Sequence, residues 1–272
     1  MSMSVVKRKS KRERAYDLAM KAIAPLARLV ARTSRVPTTP FLSAEEFAWI
    51  PRLEANWQEI RSELDSVLSF RDELPAFHEI NRDASDIGSQ RWKSFFFYGF
   101  GHRSDRNCGR CPKTAALLAQ IPGMSTALFS ILEPGARLPR HTGPWNGVIR
   151  YHLGLLVPKH WSNCGIEVNG EVGHWQEGRS LVFDDTYPHS VWNDTDETRV
   201  VLFLDIVRPC RAPGSWVNWA VLKGVALTPF IRSSRRHELA WEEGFMAKHG
   251  PGALLPAAYP AAKARSAPAR HP

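Results

Sequence analysis

Two histidines in turn-rich surroundings are the first residues of this 272-residue sequence whose types suggest chemistry. His141 lies in Pro139-Arg140-His141-Thr142-Gly143-Pro144, ahead of an apolar run, and His189 lies between Asp184 and Asn193, just after one. Imidazole nitrogen suits Fe(II), zinc or copper, and a site with two His and several open positions suits oxygen activation better than a structural role. The chain holds 10 His, so spacing alone leaves open the plainer reading of two hydrogen-bonded turn residues.

The arginines pose a second problem. In Val148 to Leu156 the two-residue alternation of a strand puts Arg150, His152 and Gly154 on one face. On an exposed face they need nothing. Inside a barrel an unpaired guanidinium costs several kcal/mol, so the site must supply an anion, either a nearby Asp or a bound carboxylate ligand. Arg199, heading the apolar run Val200 to Leu204, raises the same question.

The elements that must position these residues are mostly strands. Period-two patterns are expected to form strands at 92–98, 126–132, 148–157, 164–168, 180–183 and 199–207, separated by turn formers such as Pro134-Gly135 and Asn169-Gly170. Short strands without crossover helices favour an antiparallel sandwich or barrel of the jelly-roll kind, mainly β with flanking helices. Ahead of them, Ser43 to Glu46 has the pattern of a capping box, and Pro51 opens a helix whose Leu53, Trp57, Ile60, Leu64 and Leu68 make one buried stripe. Further helices are expected at 16–30, 114–121, around Trp216 and Trp219, and at 237–248. Residues 33–40 read as a linker. The division is a basic arm and amphipathic helix over 1–40, a catalytic or binding body over 41–250, and a disordered Ala/Pro-rich tail over 251–272.

Charge sits at the ends. Of the net +9, residues 1–14 carry +5 and residues 251–272 carry +3, leaving a body of +1 that does not look like a general nucleic-acid binder. No apolar stretch reaches the roughly 18 residues of a membrane span, and polar residues break the segment where a secretory signal would lie, so a cytoplasmic location is expected. Cys108 and Cys111 form a Cys-x-x-Cys pair beside the separate Cys164 and Cys210, which is neither a disulfide framework nor a complete zinc site.

A set of segments in consistent order changes the odds. Phe129 to Gly135, His141 to Pro144, Arg150 to Leu155, Trp175 to Gly178, Phe183 through Asn193, and Arg199 to Val201 together resemble the aspartyl/asparaginyl beta-hydroxylase family, over about residues 90–210. The resemblance implies a double-stranded beta-helix and an oxygenase that uses Fe(II), 2-oxoglutarate and O2. It puts His141 and His189 on the iron, Ser130 and Arg199 on the distal carboxylate of 2-oxoglutarate, and Arg150 with His152 at the end that chelates metal. A dianionic cosubstrate would then be the counter-charge that inward arginines require. The common oxygenase triad has a carboxylate two residues after the first His, and here that place is Gly143. The family itself lacks this carboxylate; Asp185, four residues before His189, is expected to orient a water there from the second shell.

The vertebrate family members that act on Asp and Asn carry a helical repeat module before the catalytic domain, and no internal repeat is visible here. The chain is similar to the small bacterial members that 2-hydroxylate fatty acyl chains of ornithine lipid or lipid A, including Phe47-Ala48-Trp49 and Leu53 to Trp57. Lipid acyl hydroxylation is therefore the first expectation. Aspartyl or asparaginyl beta-hydroxylation is second and a free amino acid third. A metal-free jelly-roll binding module stays open as a different class. The basic arm and helix of residues 1–31 and the tryptophans at 216 and 219 would suit contact with an anionic membrane, peripheral on its inner face; the plain alternatives are a solubilising arm, a docking helix and core tryptophans. Nucleic-acid binding through the arm predicts an affinity that vanishes on deleting residues 1–14.

Overall fold

The computed structural model describes residues 11–81, 88–99 and 101–250; the arm's first ten residues and the tail from 251 lie outside them. Among the described residues eleven strands form two antiparallel sheets. The larger has the order β1 (Phe41–Leu42), β9 (Ser180–Phe183), β6 (Val148–Leu156), β11 (Arg199–Val207), β4 (Met124–Leu132), β2 (Trp92–Gly99) and β3 (His102–Arg103). The smaller has the order β5 (Arg137–His141), β10 (His189–Asn193), β7 (Cys164–Val168) and β8 (Glu171–Gly173). This is a jelly-roll, double-stranded beta-helix core flanked by helices.

Both faces of the large sheet are buried. Val200, Leu202, Leu204 and Ile206 of β11 join Ala127, Phe129 and Ile131 of β4 and Ile149, Tyr151, Leu153 and Leu155 of β6 in one apolar cluster. Helices α2 (Ile50–Ala55), α3 (Trp57–Leu68) and α6 (Pro112–Leu118) cover it with Ile50, Leu53, Ile60, Leu64, Val67 and Leu118. Each such side chain contributes about 1.5–3 kcal/mol on burial. The alternate residues, among them Leu128, Leu132, Val201 and Phe203, face Leu138, Ile166, Val168 and Val191 of the small sheet in a second cluster. Arg150, His152, Ser130 and Arg199 belong by alternation to this inner face, between the sheets.

The Asn169-Gly170 turn joins β7 to β8 with both residues at positive φ, 54° and 89°, the backbone of a two-residue hairpin whose twist matches its strands. Several expectations need correction. The helix opened by Pro51 is two helices, because Asn56 turns its side-chain amide to the Arg52 carbonyl at 2.7 Å and the chain leaves the helical path there. The Ser43 cap serves only a short 3-10 turn, Ala44–Glu46. Helix α1 runs from Lys11 to Thr33, through Pro25 and past the expected 16–30, so residues 11–14 are helical. Residues 33–40 are no free linker: Arg35 N–H donates to Pro209 O at 2.8 Å, and Val36 is buried. Cys108 and Cys111 lie in and just after α5 (Asp105–Arg110), both buried in the apolar cluster, where desolvation pushes the Cys108 thiol up to about 11. Helix α6 begins at Pro112, where the buried Glu63 of α3 accepts Lys113 N–H at 2.9 Å and Thr114 N–H at 2.8 Å, capping a helix that is not its own.

Candidate active site

His141 and His189 sit on strands and not in loops, at the last position of β5 and the first of β10, directly paired in register. Their ring centroids are 4.1 Å apart. Each ring is turned by its own backbone: His141 Nδ1 donates to Pro139 O at 2.7 Å and His189 Nδ1 to Tyr187 O at 3.0 Å. A carbonyl only accepts, so both Nδ1 atoms carry the proton and both Nε2 atoms keep a lone pair. Burial and then His141 and Arg150 hold His189 down at about 3, and burial with Arg150 lowers His141, so both rings are neutral at physiological pH. Two neutral imidazoles side by side with open Nε2 atoms fit a metal of the Fe(II) or zinc kind. Among the described residues no third His, Cys, Asp or Glu joins them as a ligand set.

Gly143 explains where the missing carboxylate went. A Cβ placed there would collide with the Asp185 carboxylate, and Gly143 N–H donates to Asp185 O at 2.7 Å. Asp185 thus fills the space of a side chain two residues after His141, but it is engaged by Arg150 Nη2 at 2.9 Å. Burial pushes the Asp185 carboxyl up to about 6 while Arg150 pulls against that rise. Arg150 Nε also donates to Asp205 Oδ1 at 3.1 Å, and its guanidinium lies 4.6 Å over the Phe203 ring. Burial lowers Arg150, yet these two carboxylates more than offset it. The counter-charge of Arg150 is therefore internal: of the two anions the sequence leaves open, a nearby Asp or a bound carboxylate, the structure shows nearby aspartates.

Arg199 is the opposite case. It is 2% exposed, stacked 4.4 Å from the Trp175 ring, with Nη1 donating to Ser130 O at 3.3 Å. Its Nε is buried and unpartnered, and among the described residues it forms no ion pair with a carboxylate; desolvation brings it down to about 10. Beside it, His152 Nδ1 accepts from Trp175 Nε1 at 3.2 Å, which assigns the ring proton to Nε2, and that buried Nε2 also has no partner. His152 packs 5.2 Å from both Phe183 and Phe203, and Phe183 in turn lies 5.7 Å from His189. Ser130 Oγ accepts from Trp92 Nε1 at 3.0 Å, which leaves the serine hydroxyl hydrogen free to donate. Arg199, Ser130 and His152 thus offer donors and positive charge to an anion that the described residues do not supply.

Trp175, Trp92 and Asp205 escaped the sequence reading as site residues. Trp175 reaches inside because Gly154 lets the loop press on β6: a Cβ at 154 would strike Gln176 O, and Gly178 N–H donates to Gly154 O at 2.9 Å. Asp205 had a readable signal, as the acid of β11 in alternation with Arg199, Val201 and Phe203.

Comparison with known proteins places the chain in one family. The profile of the family described as Aspartyl/Asparaginyl beta-hydroxylase matches residues 54–209, which contain every residue of the site. Ornithine lipid ester-linked acyl 2-hydroxylase of Rhizobium tropici is 44% identical over 230 residues, 84% of this chain and 82% of that one. Human aspartyl/asparaginyl beta-hydroxylase is 34% identical over 170 residues, 60% of this chain but 22% of that one. Among solved structures, a Cupin_2 domain of an XRE family transcriptional regulator from Enterobacter cloacae aligns at TM-score 0.31 and 15% identity, over 44% of this chain and 99% of that one. The chain belongs to the aspartyl/asparaginyl beta-hydroxylase family.

Proposed function

We propose that this hydroxylase is an Fe(II)- and 2-oxoglutarate-dependent dioxygenase acting on C2 of a fatty acyl chain in a membrane lipid of the ornithine-lipid type. The observation that carries the reading is a polarity along the inner face. Two neutral imidazoles with open Nε2 atoms lie at one end, and a buried Arg199 without a carboxylate partner among the described residues lies at the other. His141 and His189 would hold the iron through Nε2. Bound there with 2-oxoglutarate and O2, Fe(II) supplies an oxidant able to turn an unactivated C–H into C–OH, with 2-oxoglutarate ending as succinate and CO2.

The chain's own residues bind and orient. Arg199 and the Ser130 hydroxyl take the distal carboxylate of 2-oxoglutarate, and His152 Nε2–H donates nearer the imidazoles. Arg150, fixed by Asp185 and Asp205, keeps a positive charge beside His141 and His189, which disfavours their protonation and leaves them able to ligate. Asp185 stands where it can orient a water beside Gly143. Phe183, Phe203 and Trp175 exclude bulk water from the anion site.

The lipid substrate is supported by the likeness to the Rhizobium tropici enzyme over most of both chains. In this reading the enzyme works at the inner face of the cytoplasmic membrane. Among the described residues no helix is long and apolar enough to cross a membrane. The test is reconstitution with Fe(II) under anaerobic conditions, then 2-oxoglutarate and O2, with detergent-dispersed ornithine lipid. Succinate and a lipid carrying one added oxygen are expected from wild type and neither from His141→Ala. Turnover of Asp-containing peptides instead of lipid would replace the substrate, and failure to bind iron would leave a non-catalytic binding module.

A further inference from the structure

Helix α7 (Gly214–Ala226) does not behave like a helix whose apolar residues are all used by the core. Asn218 is buried, whereas Trp216 and Trp219 on its other side are 70% and 63% exposed, followed one turn later by exposed Lys223. Leu227 just beyond is 70% exposed. α7 packs against α1, with Gly214 set close against Leu29 O and Thr33. The α1 side adds Leu26 at 37% exposure and the exposed cations Lys21, Arg28 and Arg32. The sequence contains no Asp or Glu between Asp17 and Glu45, nor between Asp205 and Glu238. The packed pair α1 and α7 thus carries two exposed indole rings, on α7, and exposed cations on both helices, in stretches of sequence without an acid.

The same helices hold the rim of the site. Asn218 Oδ1 accepts from Trp145 Nε1 at 2.8 Å, Asn218 Nδ2 donates to Gly147 O at 2.8 Å, and Asn146 Nδ2 donates to Ala27 O of α1 at 2.9 Å. Residues 145–147 are the segment between His141 and β6.

We propose that the paired α1–α7 face docks on the surface of an anionic phospholipid bilayer, with Trp216 and Trp219 seated at the headgroup level and the exposed Lys and Arg of the two helices against phosphates. Indole rings favour that interface, and single-sign cations complement its charge. The purpose of the docking rests on the lipid reading above: it brings the loop after His141 to the membrane that holds the acyl chain.

The test uses the full chain and vesicles of phosphatidylcholine alone or mixed with phosphatidylglycerol, both free of ornithine lipid, so binding is read without any catalytic event. Cosedimentation is expected with the anionic vesicles only, weakening in high salt. Trp216→Ser/Trp219→Ser should lower the partition roughly tenfold or more. Arg28→Glu/Lys223→Glu should do so by at least about tenfold. Both sets of residues are exposed, so circular dichroism and Tm should match wild type. Wild type that stays in solution, or variants that sediment as well as wild type, would overturn the proposal. So would a wild-type dimer that the double Trp variant converts to monomer, since the face would then be covered by a second copy. On ornithine lipid the double Trp variant should keep wild-type turnover in detergent and lose it on anionic vesicles. Wild type that binds vesicles but turns over lipid in neither form would sink the enzymatic reading alone.

Discussion

The two faces of the large sheet are made from alternate residues of the same strands, and they carry opposite chemistry. Toward the helices, β4, β6 and β11 present Phe129, Ile131, Tyr151, Leu153, Leu202 and Leu204, all buried and nearly all without a polar atom. Toward the small sheet, the same strands present Ser130, Arg150, His152, Arg199 and Asp205 among Leu128, Val201 and Phe203. The difference teaches where each property of the molecule resides. The helix face provides stability and allows the inner face to hold groups that would be expensive in a core with nothing to offset them.

Mutations can break that division or sharpen it. The largest effect is expected from Phe129→Ala on the helix face, which should cost about 3–5 kcal/mol in a denaturant titration while leaving turnover per folded molecule unchanged. Loss of turnover at unaltered stability would collapse the distinction between the faces. Arg199→Gln on the inner face should do the reverse: in the proposed reaction it raises the KM for 2-oxoglutarate by roughly thirtyfold with Tm held or increased, because a buried guanidinium without a carboxylate partner among the described residues is removed. Asp205→Asn should reduce kcat/KM by about tenfold in steady-state assays, since Arg150 keeps Asp185 but loses its second anchor.

The smallest effect concerns a polar outlier on the helix side. Glu238 of α8 (Pro229–His249) is pushed up to about 8, first by burial and then by Glu242. Its folded value exceeds the ordinary 4.5, so as pH rises the unfolded chain ionises first and stability falls across that window. Glu238→Gln should raise Tm modestly at pH 8, with the gain fading toward pH 5; an equal gain at both pH values would show that packing, not charge, is responsible.

Much of the inner face was readable from alternation. The rule that put Arg150, His152 and Gly154 on one face of a strand holds in β6, and the question it raised, wet face or pocket, resolves to the space between the sheets. What alternation could not supply was partnership across strands. Arg150 and Asp205 are 55 residues apart and meet only because β6 and β11 pair in one register. β5 escaped recognition because it is short, polar and interrupted by Pro139, a composition tolerated at a sheet edge, where β5 lies. The pairing of His141 with His189 was hidden for the same reason. The helix break at Asn56 turned on one side-chain amide competing with the backbone, a local choice that the periodic stripe of α2 and α3 conceals.

Gly143 and Asp185 also define a boundary between kinds of active site. Restoring an acid at 143 alone drives a side chain into the carboxylate already lodged there. Deleting Asp185 alone opens the space but strips Arg150 of one of its two anionic neighbours. At the proposed iron site a third protein ligand would therefore require a paired exchange, Gly143→Asp with Asp185→Gly. In that exchange Asp205 inherits the whole task of neutralising Arg150.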